Sequence, residues 1–277
     1  MDLTKISDLR GVLKKFRVWS KKKLGQHFLV DRKILEKIVA AGEIQKNEKV
    51  VEIGAGTGVL TVELLRAGAR VDAIEIDREI LPVLNFTTKF AADNLQIFAG
   101  HVLSFSPPTG DFKIIANIPY NLTSPILRKF FAETETPPKK IIFLVQKEIA
   151  QKICDPRKSS VLQNFIAPFG RAEILEIVPS NAFFPAPKVE SAILKIETFD
   201  RPRISVDRRL FFKILKAGFS SPRKMLKNNL ANFTRRAPGE IEKILTKFEI
   251  SLTARAENLT IENWENLARE LLEKNSV

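Results

Sequence analysis

From residue 49 to residue 145 the chain alternates between short runs of consecutive apolar residues and longer stretches of helical periodicity, and no other pattern constrains the fold as tightly. Apolar runs at 49–53, 70–74, 95–98, 111–116 and 141–145 predict strands. Segments at 59–67, 78–91 and 124–133 predict helices, the second broken near its start by Pro82. A strand with no polar alternate face has no side to show to water, so these strands belong in a parallel sheet covered by helices on both faces. The alternation stops at Asp155-Pro156-Arg157-Lys158-Ser159-Ser160. After one more helix, at 161–167, strands at 173–178 and 191–197 are separated only by the Pro-rich loop 179–188. With no helix to carry the chain across, they are expected as an antiparallel pair finishing the sheet. Beyond Arg201-Pro202 the pattern is wholly helical, with helices at 207–219, 222–233, 238–248 and 260–274. The expected organisation is a basic arm over 1–23, an α/β domain over 24–200 and a small all-helical domain over 201–277.

The net charge of +13 gathers at the two ends. Residues 1–33 hold ten Lys/Arg and three acids, residues 200–277 sixteen and ten, and the stretch between them nineteen of each. Basic ends around a neutral middle suit a polyanion gripped from both sides, and nucleic acid is the expected partner ahead of mere lysine-rich solubility. A single cysteine, Cys154, rules out an internal disulfide, and with two histidines the chain has no evident metal-ligand set. No apolar run approaches the roughly 18 residues of a membrane span, and no signal-peptide pattern opens the chain. A soluble, cytoplasmic monomer without metal or membrane contact is expected.

Two motifs carry chemistry. The first, Glu52-Ile53-Gly54-Ala55-Gly56-Thr57-Gly58, runs from a strand through a glycine loop into a helix. A dinucleotide fingerprint needs a further glycine where Val59 stands, to offer the helix N-terminus to a pyrophosphate. An acid in place of that arrangement faces a positive group better than a phosphate, which favours S-adenosyl-L-methionine, with its ammonium and sulfonium, over NAD. Glu75 ends the next strand, where a carboxylate can accept from both ribose hydroxyls; Asp77 reads as a helix cap. The second motif is Asn117-Ile118-Pro119-Tyr120-Asn121, directly after an apolar strand. The Asn117 side chain and the Ile118 carbonyl can accept the two hydrogens of an adenine N6 while Tyr120 stacks on the ring. Two acceptors pulling on those hydrogens favour a pyramidal nitrogen able to attack a methyl group. The plain alternative is a strand-to-helix turn with Ser124 capping and Pro125 at the first helical position. Tyr120 is, however, the one tyrosine in a chain of twenty phenylalanines.

Taken with Gly25-Gln26-His27-Phe28-Leu29, Gln146-Lys147-Glu148, Phe183-Phe184-Pro185-Ala186-Pro187-Lys188-Val189, the segment 219–230 and Arg255-Ala256-Glu257, these motifs resemble the KsgA-type (RsmA family) ribosomal RNA adenine N6,N6-dimethyltransferases, in order, from residue 21 to about 273. The resemblance implies a Rossmann-like class I methyltransferase sheet with a helical RNA-binding domain. It also implies S-adenosyl-L-methionine as cofactor and two methyl groups placed on each of two adjacent adenosines near the 3′ end of small-subunit rRNA in an assembling ribosomal particle. Carried over by position, Gln26, His27 and Leu29 would close over the cofactor, Gly54 and Gly56 line its amino acid tail, and Glu75 hold the ribose. Asn117 and the Ile118 carbonyl would take N6, with Tyr120 on one face of the base and Phe183 on the other. Lys21, Lys22, Lys23, Arg223 and Lys224 would meet RNA phosphates. Two positions depart from the family pattern. His101 stands where an Asp usually accepts from the cofactor's adenine amino group, and is expected to accept through a ring nitrogen; Pro222 replaces a second arginine, in the first turn of the 222–233 helix. Rival readings are a large-subunit rRNA methylase of the erythromycin-resistance type, a DNA adenine methylase, and a non-catalytic assembly or transcription factor on the same fold.

Overall fold

The computed structural model describes residues 1–119, 122–155 and 159–272. In chain order it forms α1 (Ile6–Phe16), β1 (Phe28–Leu29), α2 (Arg32–Gly42), β2 (Lys49–Ile53), α3 (Val59–Arg66), β3 (Arg70–Glu75), α4 (Leu81–Thr88), β4 (Leu95–Ala99), β5 (Lys113–Asn117), α5 (Thr123–Arg128), β6 (Lys140–Gln146) and α6 (Lys147–Cys154). There follow α7 (Val161–Ile166), β7 (Gly170–Val178), β8 (Phe183–Phe184), β9 (Ser191–Thr198), α8 (Arg208–Gly218), α9 (Leu226–Thr234), α10 (Pro238–Lys247) and α11 (Ile261–Leu271). The chain divides into two compact units. One comprises Met1–Ile126, Thr136–Gln151 and Glu173–Thr198; the other comprises Leu127–Glu135, Lys152–Ala172 and the chain from Phe199 onward.

The first unit is built on a seven-stranded sheet in the order β4-β3-β2-β5-β6-β9-β7. β4 through β6 run parallel, and β9 lies antiparallel to β6 with β7 beyond it at the edge. The unbroken apolar strands are buried on both faces, as their composition requires: Val51, Ile114, Ile115, Ile141 and Ile142 expose nothing. β2 and β5 are neighbours where the strand order reverses, and this is where an open parallel sheet leaves a crevice beyond the carboxyl ends of its strands. Asp31 caps α2 by accepting from the Ile34 N–H at 3.1 Å.

The basic arm, open from its sequence to being a helix or a loosely ordered segment, carries a packed helix: α1 buries Leu9, Val12 and Leu13 and lies against α4, with Phe16 and Phe86 ring centroids 5.4 Å apart. Its cations sit on aromatic rings, Arg10 over Phe184 at 4.8 Å and Lys15 over Phe86 at 3.8 Å. Other elements differ from expectation. Pro82 falls in the first turn of a shortened α4, where a missing N–H costs nothing. The helix expected at 222 begins at Leu226, because Pro222 sits inside a turn closed by the Lys224 N–H on the Ser221 carbonyl at 2.9 Å.

The second unit packs its helices around Trp264, which is fully buried. A side chain at Gly218 would place its Cβ 2.3 Å from the indole, so α8 and α11 touch only because that position has none. A second cluster stacks Phe131, Phe169 and Phe212, with successive ring centroids 5.3 Å and 5.5 Å apart.

Candidate active site

At the β2/β5 crevice, wholly within the first unit, lies a cavity of ≈ 490 Å³ lined by the loop after β2, the ends of β3 and β5, and the segment before β1. That size suits a nucleotide-type ligand. The loop amides do not form a phosphate cradle. Gly54 and Ala55 N–H donate to the Ile74 carbonyl at 2.8 Å and 3.2 Å, and Gly56 N–H donates to Glu75 Oε2 at 2.8 Å. The Asp77 N–H meets Glu75 Oε1 at 2.8 Å, so the Glu75 carboxylate is oriented at both oxygens. Burial pushes the Glu75 carboxyl up, against these backbone donors.

Glu52 lies deeper. It is 1 % exposed and lines the cavity, and its Oε2 has no hydrogen-bond partner among the described residues. Burial pushes its carboxyl up to about 8; Thr61 offsets part of this and the nearby Glu75 adds to it. A cation entering here would favour the ionised carboxyl and satisfy its orphaned oxygen.

Of the segment expected to close over the cofactor, Gln26, His27 and Leu29 line the cavity. β1 pairs with β8, Phe28 opposite Phe184 and Leu29 opposite Phe183. The His27 Nδ1–H donates to the Pro185 carbonyl at 2.6 Å. Asp77, read from sequence as a helix cap, does not cap α4, whose N-cap is Ile80; it anchors the segment before β1 instead. Besides accepting from the Glu79 N–H at 3.2 Å, its two oxygens take Lys21 Nζ and Gln26 Nε2, each at 2.8 Å, while Gln26 Oε1 accepts from the Lys21 N–H at 2.7 Å. Burial works to raise the Asp77 carboxyl, but Lys21 and Gln26 outweigh it and hold it below the ordinary carboxylate range. Finally, Asn117 Nδ2 donates to the His27 carbonyl at 3.0 Å, tying β5 to the segment before β1.

The remaining expected site residues divide. Gly54, Gly56, Glu75, His101, Asn117 and Ile118 line the cavity. Tyr120 lies outside the described residues. Phe183, expected on the second face of the target base, is 3 % exposed, packs into the hydrophobic core and does not line the cavity. His101 caps the turn Val102–Ser104, its Nδ1 accepting from the Leu103 N–H at 3.1 Å. An Nδ1 that accepts leaves the ring hydrogen on Nε2, so the free edge donates and cannot accept from an adenine amino group as expected. Among the basic residues, Lys21 is committed to Asp77 and to Glu79, at 2.8 Å and 2.9 Å. Lys22 and Lys23 are exposed at the cavity rim, and Arg223 and Lys224 project from the turn before α9.

Residues 18–273 match the family described as ribosomal RNA adenine dimethylase. The ribosomal RNA small subunit methyltransferase A of Lactococcus lactis subsp. lactis (strain IL1403) is 38% identical to this chain over 283 residues, spanning 98% of this chain and 96% of that protein. Among solved structures, a dimethyladenosine transferase from Plasmodium falciparum superposes with a TM-score of 0.70 at 25% identity, covering 90% of this chain and 98% of that one. The 23S rRNA methyltransferase ErmE superposes with a TM-score of 0.64 at 26% identity, over 88% and 99%. The glycine loop with its paired carboxylates, the Asn117 strand end and a match that runs through both compact units lead to one conclusion: the chain belongs to the ribosomal RNA adenine dimethylase family.

Proposed function

We propose that this protein is an S-adenosyl-L-methionine-dependent enzyme that dimethylates N6 of two adjacent adenosines near the 3′ end of small-subunit rRNA in a particle still being assembled. The observation that carries the reading is the Asn117 amide, held by its nitrogen end at the mouth of a cavity whose two carboxyls suit a cationic nucleoside. The family match and the naming of the Lactococcus relative supply the substrate class.

The residues present fit this donor. The orphaned Glu52 carboxyl lies where an ammonium would relieve it, and the oriented Glu75 oxygens can take ribose hydroxyls. When bound, S-adenosyl-L-methionine supplies an electrophilic methyl group on a sulfonium. The chain's own work is positioning. With Nδ2 engaged by the His27 carbonyl, Asn117 has Oδ1 left to accept an N6 hydrogen, and the adjacent Ile118 carbonyl is the second acceptor. These groups would orient the nitrogen lone pair and stabilise positive charge as it develops there, which is where most of the rate enhancement is expected to arise. The segment 24–29, closing over the bound donor, would exclude water from the transfer path.

Purified protein incubated with methyl-labelled S-adenosyl-L-methionine and, separately, undermethylated small subunits, naked small-subunit rRNA, large-subunit rRNA and DNA tests the reading. Transfer to small subunits, recovered as N6,N6-dimethyladenosine, is expected. Transfer to large-subunit rRNA alone would assign the erythromycin-resistance type of activity, and no transfer to any of them would overturn the enzymatic reading.

A further inference from the structure

The second compact unit holds a cavity of its own, of ≈ 730 Å³, that the methyl-transfer site does not use. One wall is α8, from which Arg209, Lys213 and Lys216 follow at spacings of four and three residues and so share one helical face, with Ser220 in the turn just beyond it. Phe212 forms part of the lining and is held in the Phe131–Phe169–Phe212 stack. The opposite side carries Phe233, from α9, whose ring is 37 % exposed.

A row of exposed cations is usually just a solvated face. Here the neighbours say otherwise. In the same unit Lys227 pairs with Glu242 at 2.7 Å, Lys247 with Glu270 at 2.8 Å and Arg269 with Glu265 at 3.3 Å. Among the described residues Arg209, Lys213 and Lys216 have no ion pair, and the carboxylate at the rim, Glu133, is taken by Arg128 at 3.2 Å. Lys213 Nζ instead stands 5.8 Å from the centre of the Phe233 ring. Three like charges along one concave wall repel one another unless an anion joins them, and the Phe233 ring beside them, met by Lys213 only at 5.8 Å, is left partly in water. Charge for a backbone and a ring for a base are the two components of single-strand recognition.

We propose that this cavity binds an unpaired nucleotide of RNA, its phosphates against Arg209, Lys213 and Lys216 and its base stacked on Phe233. The inference rests on the rRNA-methylating reading above, and it assigns the helical unit a grip on a single-stranded position separate from the adenosine being methylated. A duplex could satisfy the cations but has no base edge-free to cover the ring, so single strands are the preferred ligand.

The test uses the full-length chain and a fluorescein-labelled single-stranded oligoribonucleotide of mixed sequence, compared with the same strand annealed to its complement. Arg209→Ala, Lys213→Ala and Lys216→Ala combined should reduce the slope of log affinity against log salt by about two, at roughly 0.7 per single-strand phosphate contact. Phe233→Leu should weaken single-strand binding about tenfold and leave duplex binding nearly unchanged, while Phe233→Trp retains it. An unchanged salt slope in the triple variant would overturn the site, as would equal losses in the Leu and Trp variants, or equal loss for single strand and duplex in the Leu variant. Competition by polyglutamate as effective as by RNA would reduce the patch to general polyanion attraction and also overturn it. Failure of the rRNA-methylating reading is distinguished by wild-type protein that binds the oligonucleotide normally yet transfers no methyl group to small subunits.

Discussion

Asn117 Nδ2 donates to the His27 carbonyl at 3.0 Å, so the acceptor proposed for N6 is oriented by the same segment that lines the donor cavity. Neither residue holds its geometry alone. The amide is set by a carbonyl ninety positions earlier in the chain, and that carbonyl is set by β1, by Pro185 and by the Asp77 anchor.

Asn117→Ala removes the oriented oxygen without touching the carboxyls of the donor cavity. Methyl transfer is expected to fall about a hundredfold or more, in the range seen when a preorganised acceptor or donor is lost, while S-adenosyl-L-methionine still binds measurably by calorimetry. Full activity in this variant would sink the N6 assignment.

Asp77→Ala releases Lys21 and Gln26 together. Two charge-assisted bonds are lost, so the segment before β1 loosens; KM for S-adenosyl-L-methionine should rise about tenfold, and kcat should also fall because Asn117 loses its reference carbonyl. A variant with raised KM and untouched kcat would show that the segment and the amide are independent. The same anchor is pH-dependent. Because Asp77 is held below its ordinary range, its contribution is present at neutral pH and lost as the pH falls through the acidic range where the folded-state carboxyl protonates.

Glu52 behaves in the opposite sense. Its folded-state pKa of about 8 lies above the ordinary value of 4.5, so the folded chain holds that proton more tightly than the unfolded chain does. Stability of the ligand-free protein should therefore decline as the pH rises from about 4.5 through about 8, by on the order of a few kcal/mol in all. Glu52→Gln should flatten that decline in thermal melts between pH 6 and pH 9, yet weaken S-adenosyl-L-methionine binding about tenfold. A melt profile identical to the parent would mean the buried carboxyl is compensated in some other way.

His101→Asp keeps the cap, since an aspartate oxygen can also accept from the Leu103 N–H, but turns the outward edge from donor to acceptor. Affinity for S-adenosyl-L-methionine should rise several-fold in equilibrium titration. His101→Ala, losing both cap and edge, should bind more weakly than either; if Asp and Ala variants bind alike, the outward edge has no contact with the adenine.

The sheet was legible because its strands are apolar on both faces and its helices are amphipathic, so period and composition agree from β2 to β6. The donor motif was legible for a related reason: an acid, three alternate glycines and a second acid at the end of the next strand form a local pattern. What escaped notice was non-local or too short to have a period. β1 and β8 are two residues each, and only their pairing makes them strands. The Asp77 anchor joins residues 51 and 56 positions apart, and from sequence the residue reads equally well as a helix cap, which it is not: α4 starts at Leu81 with Ile80 at its N-cap. Phe183 beside prolines suits a stacking face or a core position, and in this structure it is buried in the core. The polarity of His101 depends on which ring nitrogen the following turn occupies, a matter of local backbone that residue types do not encode.

The two-rung pairing of Phe28 and Leu29 with Phe184 and Phe183 has a bearing on how the protein comes into being. During synthesis β1 is made long before its partner, more than half the chain earlier, so this pairing, which flanks the carbonyl that orients Asn117, can form only once residues 183 and 184 have left the ribosome.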